Sequence, residues 1–315
     1  MNARILPGTD LTVSDLCCGT AGFGNRIDES TAFRLLDAYV DGGGNMIDTA
    51  RVYADGIGET IIGRWLSRGG RSKAIVATKG GHYDHRGPSF SRVTRSDVMT
   101  DVEISLKELK SDVIDFYWLH RDNTDLPVAE IAGFCNNLVA SGKIRYWGIS
   151  NWTLERAKEA CALGAKAVSN RFSYAHVPSD GSADGNGLVT TDAALYDWHT
   201  ESQIPLVPYS ALAFGFFEKL LAANASVEND RIVLPDASAV SPGLFAALNT
   251  PENADRYEKV CRYCRETGRS ATDLTIGFHR TRPFADIPVI AARTEEQLNA
   301  LLSACDTHVN PAEFL

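Results

Sequence analysis

The stretch NMIDTARVYADGIGETIIGRWL, residues 45–66, decides the fold. Asn45–Thr49 reads as a short strand, and Gly58–Ser67 reads as an amphipathic helix. The segment between them is rich in Gly and Ala. It follows an acid at the strand's end, Asp48, and carries a phenol, Tyr53, before the helix begins. A strand that passes to a helix through such a loop is one βα unit. Ionisable side chains at its carboxyl end mark a place where chemistry is done.

The same unit recurs on both sides of this stretch. Strands are read at Leu16–Thr20, Asn45–Thr49, Ala74–Thr78, Ile114–Leu119, Tyr146–Ser150, Ala167–Asn170, Pro205–Tyr209 and Ile287–Ala291. Helices are read at Glu29–Asp41, Gly58–Ser67, Ser96–Leu109, Val128–Ser141, Leu154–Leu163, Thr191–Ser202, Asn253–Thr267, Ala271–Thr281 and Glu295–Ala304. Glycines follow Asp41, Ser141 and Leu163, where helices should stop. Crossovers of this length favour parallel strands wound with a right hand. Eight such units close into a single (β/α)8 TIM barrel, one domain over residues 1–315. An open doubly wound sheet is the alternative. No G-x-G-x-x-G phosphate loop supports it, since GTAGFG at 19–24 has the wrong spacing. Two insertions, 175–190 and 213–250, follow strands and so belong on the C-terminal face. RILPGTDLTVS, residues 4–14, reads as a β-hairpin turning at Pro7–Asp10 and capping the bottom end. The prolines of Pro205–Tyr209 count against a full ladder there.

Composition narrows the classes of function. Of 315 residues, 44% are hydrophobic and 23% charged, as in ordinary globular proteins. A formal net charge of −9 argues against non-specific binding to nucleic acid or to an anionic membrane. No apolar run approaches the roughly 20 residues of a membrane span, and the N-terminus has no signal-peptide pattern. Seven cysteines, an odd count without secretory cues, point to reduced thiols and a cytoplasmic location. Cys261 and Cys264 lie three apart on a helix with no second pair at zinc spacing. Cys17 and Cys18 alternate across a strand. All are read as packing, and no metal site is expected.

In a barrel the carboxyl ends of the strands converge on one mouth. The second strand brings Asp48 and Tyr53, the third Lys79 and the fourth His120. An ammonium beside a phenol favours phenolate and lowers its pKa from about 10. Asp48 holds Lys79 in place, and His120 hydrogen-bonds a substrate oxygen or relays a proton. A phenol tuned in this way protonates a developing alkoxide or takes a proton from an alcohol. The matching hydride needs a cofactor, so a nicotinamide is implied.

NMIDTARVYADGIGETIIGRWL, VATKGG (76–81), IDFYWLHRDN (114–123), GKIRYWGISNW (142–152) and VPYSALAFG (207–215) resemble the aldo-keto reductases over nearly the whole chain. The resemblance implies a (β/α)8 barrel that interconverts a carbonyl compound or sugar and an alcohol. It implies NADPH, less often NADH, bound extended without a Rossmann motif. It makes Tyr53 the acid–base residue, with Asp48, Lys79 and His120 completing a tetrad. It places Ser150 and Asn151 at the nicotinamide carboxamide and Tyr209 against the ring. Ser210 and Leu212 fall beside the pyrophosphate, Gly19, Thr20 and Asp48 along the cofactor, and Arg293 and Gln297 near the 2′-phosphate. The departures are local. Arg171 stands where the family carries the Gln that touches the carboxamide, and either makes that cofactor contact or faces something anionic; Ile290 and Ala291 replace Pro-Gly. Ala300 and Leu301 replace the Glu-Asn pair that grips adenine. Ala21 replaces an aromatic, which leaves Phe23 as a wall.

Phe23, Tyr53, His120, Arg121 and Trp152 are therefore expected around a small carbonyl or sugar substrate, with packing under a loop the alternative for Trp152. Arg171, if it faces the pocket, favours an anionic or hydroxyl-rich substrate, and Arg121 is the second candidate for that role. His82 and Tyr83 are read as loop residues, with substrate contact the lesser alternative. Two other functions remain open. One is a lyase forming a Schiff base on Lys79, which needs a depressed amine pKa. The other is a non-catalytic sensor that binds a nicotinamide and docks on a partner.

Overall fold

The computed structural model describes residues 1–87, 90–305 and 309. It opens on an antiparallel hairpin, β1 (Ala3–Ile5) and β2 (Thr12–Ser14), with Ala3 opposite Ser14. Strands and helices then alternate: β3 (Cys17–Gly19), α1 (Glu29–Asp41), β4 (Met46–Asp48), α2 (Ile57–Trp65), β5 (Ile75–Gly80), α3 (Arg95–Leu109). The series continues with β6 (Ile114–Leu119), α4 (Val128–Ala140), β7 (Ile144–Ser150), α5 (Leu154–Ala162), β8 (Val168–Ser169) and α6 (Ala193–Ser202). The last third holds α7 (Phe216–Ala222), β9 (Ser226–Glu228), β10 (Arg231–Val233), α8 (Pro242–Leu248), α9 (Pro251–Thr267), α10 (Ala271–Arg280), β11 (Val289–Ile290) and α11 (Glu295–Ala304).

Seven strands pair in parallel in the order β11-β3-β4-β5-β6-β7-β8. The segment Pro205–Tyr209 closes the gap. Leu206 bridges Val168 on one side and Asp286 on the other. The Val168 and Val207 amides donate to Pro205 and Val168 carbonyls; on the far edge the Leu206 N–H donates to the Ala285 carbonyl and the Leu206 carbonyl accepts from the Ile287 N–H. This eighth stave is thin, in line with its prolines: Pro205 and Pro208 have no N–H to give to a ladder.

Alternation along the strands builds two layers. Cys17, Met46, Ala77, Phe116, Trp118, Ala167, Val207 and Ile287 fill the barrel's interior. Cys18, Ile47, Val76, Tyr117, Val168, Leu206 and Ile290 face the helices. The hairpin contributes Leu6, Leu11 and Val13 to the interior cluster, so it plugs the bottom. Gly148 sits where the interior leaves no room for a side chain. A Cβ there would lie 2.6 Å from Trp118, 2.7 Å from the Ala167 carbonyl and 2.8 Å from Phe116. Gly148→Ala is expected to cost about 1–3 kcal/mol by overpacking. A lower urea midpoint at unchanged slope checks this.

The insertion at 213–250 folds instead of running as a bare loop. Phe216, Phe217, Leu220 and Ile232 pack with Tyr257, Val260 and Leu274 in a second core. The pieces involved, α7, the β9–β10 hairpin and α8, are too short to carry a readable period. All seven cysteines are free. Among the described residues, no helix is long and apolar enough to cross a membrane.

Candidate active site

Register aims the side chains. Met46, Ala77, Trp118 and Val207 point inward. The residues two further along, Asp48, Lys79, His120 and Tyr209, therefore point inward one layer higher, at the mouth. Ser150 follows Gly148 in the same way. Tyr53 arrives by a different route. It opens a single 3₁₀ turn, Tyr53–Gly56, after β4. Ala54, Asp55 and Gly56 all take positive φ, at 48°, 55° and 93°. Three left-handed residues in succession reverse the chain and lay Tyr53 back over Lys79. Non-glycine residues rarely adopt this region, and strain of this kind gathers at functional sites.

The Lys79 ammonium donates three hydrogen bonds. One goes to Asp48 Oδ2, one to the Thr49 carbonyl at 2.9 Å and one to the Tyr53 hydroxyl at 3.3 Å. Lys79 and Asp48 are 3% and 4% exposed, so water does not screen the pair. Thr20 steadies Asp48 from β3's side. Its N–H and its hydroxyl both donate to the Asp48 carbonyl at 3.0 Å. The His120 ring stands edge-on to Tyr53, centroids 6.1 Å apart at 83°. Its Nδ1 has no partner among the described residues.

Burial works against the Lys79 charge, but Asp48 and Tyr53 outweigh it and raise the amine's pKa. The group is an ammonium with every hydrogen engaged. The net shift of Tyr53 corrects the expectation from sequence. Burial raises the phenol, and this exceeds the lowering by Lys79. Depth within the mouth, which local sequence does not encode, decides the balance. The phenol is held protonated at neutral pH. For His120, burial acts first and Lys79, Arg121 and His82 add to it, holding the imidazole well below its usual pKa.

The sign of the stability effect follows. An unfolded histidine titrates near about 6.5, and the folded His120 lower. As pH falls through that window the unfolded chain takes up more protons, so stability drops. The melting temperature of wild type is expected to fall more steeply from about pH 7 to about pH 5 than that of His120→Gln. Equal slopes in thermal melts would contradict the assignment.

Ser150, Asn151 and Tyr209 form one hydrogen-bonded group beside His120. Ser150 Oγ donates to the Ser169 carbonyl at 2.7 Å. Asn151, at φ 65°, donates its amide to the His120 carbonyl at 3.2 Å and to Ser150 Oγ at 3.1 Å. Its Oδ1 accepts from the Tyr209 hydroxyl at 2.5 Å and from the Val189 N–H at 3.2 Å. Burial pushes the Tyr209 phenol up to about 12. Beyond it, Ser210, Ala213 and Phe214 take positive φ, with Leu212 half-buried between them. Gly19 packs against the neighbouring strand, and a Cβ there would lie 2.7 Å from Val289. Arg293 and Gln297 are exposed at the start of α11, where the Arg293 N–H donates to Gln297 Oε1 at 2.9 Å.

Two expected substrate-side residues, Phe23 and Trp152, need correction, and Arg171 is ion-paired. Phe23 and Trp152 are 2% and 0% exposed and belong to the core. Trp152 packs under the loop instead of lining the mouth. Its indole N–H donates to the Arg121 carbonyl at 3.1 Å, and Arg156 covers its ring. Arg171 is paired with Asp184 of the 175–190 insertion at 3.1 Å, so its charge is taken. His82, treated as a loop residue, lies 4.7 Å from the His120 ring, centroid to centroid. The signal was present: β5 runs on through Gly80, which carries the following residues to the mouth.

A protonated phenol above a fixed ammonium, beside a neutral imidazole at the mouth of a parallel barrel, is equipped to move one proton on or off a carbonyl oxygen. Proton transfer of that kind is one half of the interconversion of a carbonyl and an alcohol. The aldo/keto reductase family model matches residues 15–314, and the chain belongs to that family. It is similar to the uncharacterized oxidoreductase YrpG of Bacillus subtilis (strain 168), at 30% identity over 97% of this chain and 91% of that protein. It is also similar to the NADP(+) aryl-alcohol dehydrogenase of Phanerodontia chrysosporium, at 32% identity over 99% of this chain and 83% of that one. Among solved structures, aldo-keto reductase AKR11C1 from Bacillus halodurans, in holo form, shares the fold with a TM-score of 0.74. That alignment covers 99% of this chain and 94% of the other at 23% identity. Members of the family are oxidoreductases that use nicotinamide cofactors.

Proposed function

We propose that this chain is an NADPH-dependent reductase of small carbonyl compounds, reversible toward alcohol oxidation, with Tyr53 as its general acid–base. The observation that carries this reading is the three-way engagement of Lys79 by Asp48, the Thr49 carbonyl and the Tyr53 hydroxyl at the barrel's mouth. A bound nicotinamide supplies the hydride in one direction and accepts it in the other. In reduction the Tyr53 hydroxyl gives its proton to the substrate oxygen as negative charge grows there. The Lys79 ammonium, 3.3 Å away, steadies the phenolate that forms. Asp48 keeps the ammonium in place. His120, neutral, gives a hydrogen bond to the same oxygen without competing for the proton. In oxidation the phenolate takes the alcohol's proton.

Ser150 and Asn151 would hold the carboxamide by exchanging bonds they now make to the Ser169 and His120 carbonyls and to Tyr209, which offers an aromatic face beside them. Ser210 and Leu212 would lie along the pyrophosphate, with Gly19 and Thr20 beneath. Arg293 offers an exposed guanidinium to a 2′-phosphate, with Gln297 beside it. The similar aryl-alcohol dehydrogenase, whose name specifies NADP(+), points the same way. Arg293→Ala is expected to weaken NADPH binding by about 10- to 100-fold, the worth of a charge-assisted bond, and to leave NADH binding nearly unchanged. Fluorescence titration with both cofactors checks this. Comparable losses for the two would remove the 2′-phosphate role.

The Schiff-base reading of Lys79 is disfavoured, because an amine with a raised pKa and three acceptors is a poor nucleophile. The decisive assay offers the purified chain NADPH and a panel of aldehydes, ketones and sugars. Carbonyl-dependent loss of nicotinamide absorbance is the expected result. Tight cofactor binding with no turnover on any of them would favour the sensor instead.

A further inference from the structure

We infer that Arg121 recognises the substrate, and that the carbonyl compounds this site takes carry a carboxylate. The inference rests on the reading of Tyr53 and His120 as the reacting pair.

Arg121 follows His120 directly and is held at the mouth from three sides. Nη1 donates to the His120 carbonyl at 2.9 Å. Nη2 meets His82 Nε2 at 3.0 Å. The guanidinium carbon lies 5.3 Å from the centroid of the Tyr83 ring. On the fourth side Gly187 of the 175–190 insertion closes over the stem; a Cβ on Gly187 would stand 3.7 Å from Arg121 Cδ and 3.9 Å from Nε. Nε is buried without a hydrogen-bond partner among the described residues.

These contacts position the charge without cancelling it. His82 Nδ1 lies 2.8 Å from the Tyr83 carbonyl. A carbonyl only accepts, so Nδ1 carries the hydrogen and Nε2 offers its lone pair to Arg121. Burial lowers the pKa of His82, Arg121 lowers it further, and the ring is neutral. Among the described residues no carboxylate pairs with Arg121. The neighbouring cations are committed, Lys79 to Asp48 and Arg171 to Asp184. In a chain of net charge −9, Arg121 therefore stands beside His120 and His82 without a carboxylate partner among the described residues. A half-buried guanidinium without a counter-charge is costly to maintain unless an anion completes it. Its planar fork matches a carboxylate. One spare positive charge balances a monoanion and leaves a phosphate dianion half-neutralised. The structure thus reverses the order read from sequence, where Arg171 stood first and Arg121 second.

The test compares 4-carboxybenzaldehyde with methyl 4-formylbenzoate, which keeps the ring and the aldehyde and removes the charge. 4-Formylphenyl phosphate is the third arm. Each is assayed with NADPH on wild type, Arg121→Gln and Arg121→Lys, after NADPH titration shows each variant folded. Wild type should prefer the acid to the ester by about tenfold or more in kcat/KM, through KM, as expected of a charge-assisted bond. In Arg121→Gln the acid-to-ester ratio should collapse toward one, and Arg121→Lys should fall between. A wild-type ratio near one, a ratio untouched by Arg121→Gln, or a preference for the phosphate overturns the inference. Turnover of the ester in those cases leaves the reductase reading standing, and turnover of none of the three by wild type counts against both.

Discussion

Lys79→Met is expected to abolish turnover and to destabilise the fold together. Methionine keeps most of the stem's volume and removes the charge, leaving Asp48, 4% exposed, without its counter-ion. Removing one partner of a buried pair costs about 3–5 kcal/mol, because the other is stranded out of water. Catalysis fails for a separate reason. Burial already raises the Tyr53 phenol, and the Lys79 ammonium is the main charge opposing it. Without the ammonium no cation steadies the phenolate, and a loss of about 10²- to 10⁴-fold in kcat is expected. The double variant Lys79→Met with Asp48→Asn separates the two effects. It should recover part of the stability, since no charge is left stranded, and none of the activity. Urea unfolding and nicotinamide-linked kinetics read the two quantities independently. A single variant that stays both stable and active would contradict the pairing drawn here.

Tyr53→Phe is expected to lose about 10²- to 10⁴-fold in kcat with little change elsewhere. The ring stays, its edge-on contact with His120 stays, and only the hydroxyl that Lys79 reaches at 3.3 Å is removed. One hydrogen bond of that length is worth about 1 kcal/mol or less in stability. Lys79 keeps Asp48 and the Thr49 carbonyl. Cofactor affinity should be close to that of wild type, because Ser150, Asn151 and Tyr209 are bound to one another and none to Tyr53. Steady-state kinetics with cofactor titration checks both halves.

Much of this was legible in sequence because two simple periods carry it. Ile114–Leu119 and Glu295–Ala304 have the same bounds in the structure as in the pattern, since apolar runs and caps mark them locally. Asp48, Lys79 and His120 could be placed at one mouth because strand alternation is strict and parallel strands share a carboxyl end. What was not legible depends on contacts between distant segments. The Tyr53 shift turns on how deeply the phenol is buried against how near the ammonium lies. Arg171 looked free until the 175–190 insertion brought Asp184 across to it. Trp152 looked like a wall residue, yet its partner is the Arg121 carbonyl, 31 residues away. The helices and hairpin within 213–250 are too short to show a period, and their shared core becomes visible only when α9 and α10 are in place.

The central claim is that the Tyr53 hydroxyl gives the proton that accompanies hydride arrival at a carbonyl. A single turnover tests it most directly: enzyme saturated with NADPH is mixed with excess aldehyde, and the nicotinamide absorbance is followed in wild type and Tyr53→Phe. A fast, full-amplitude loss in wild type that is slowed by orders of magnitude in the variant, at equal cofactor occupancy, is the predicted result. The same rate and amplitude in both would contradict it.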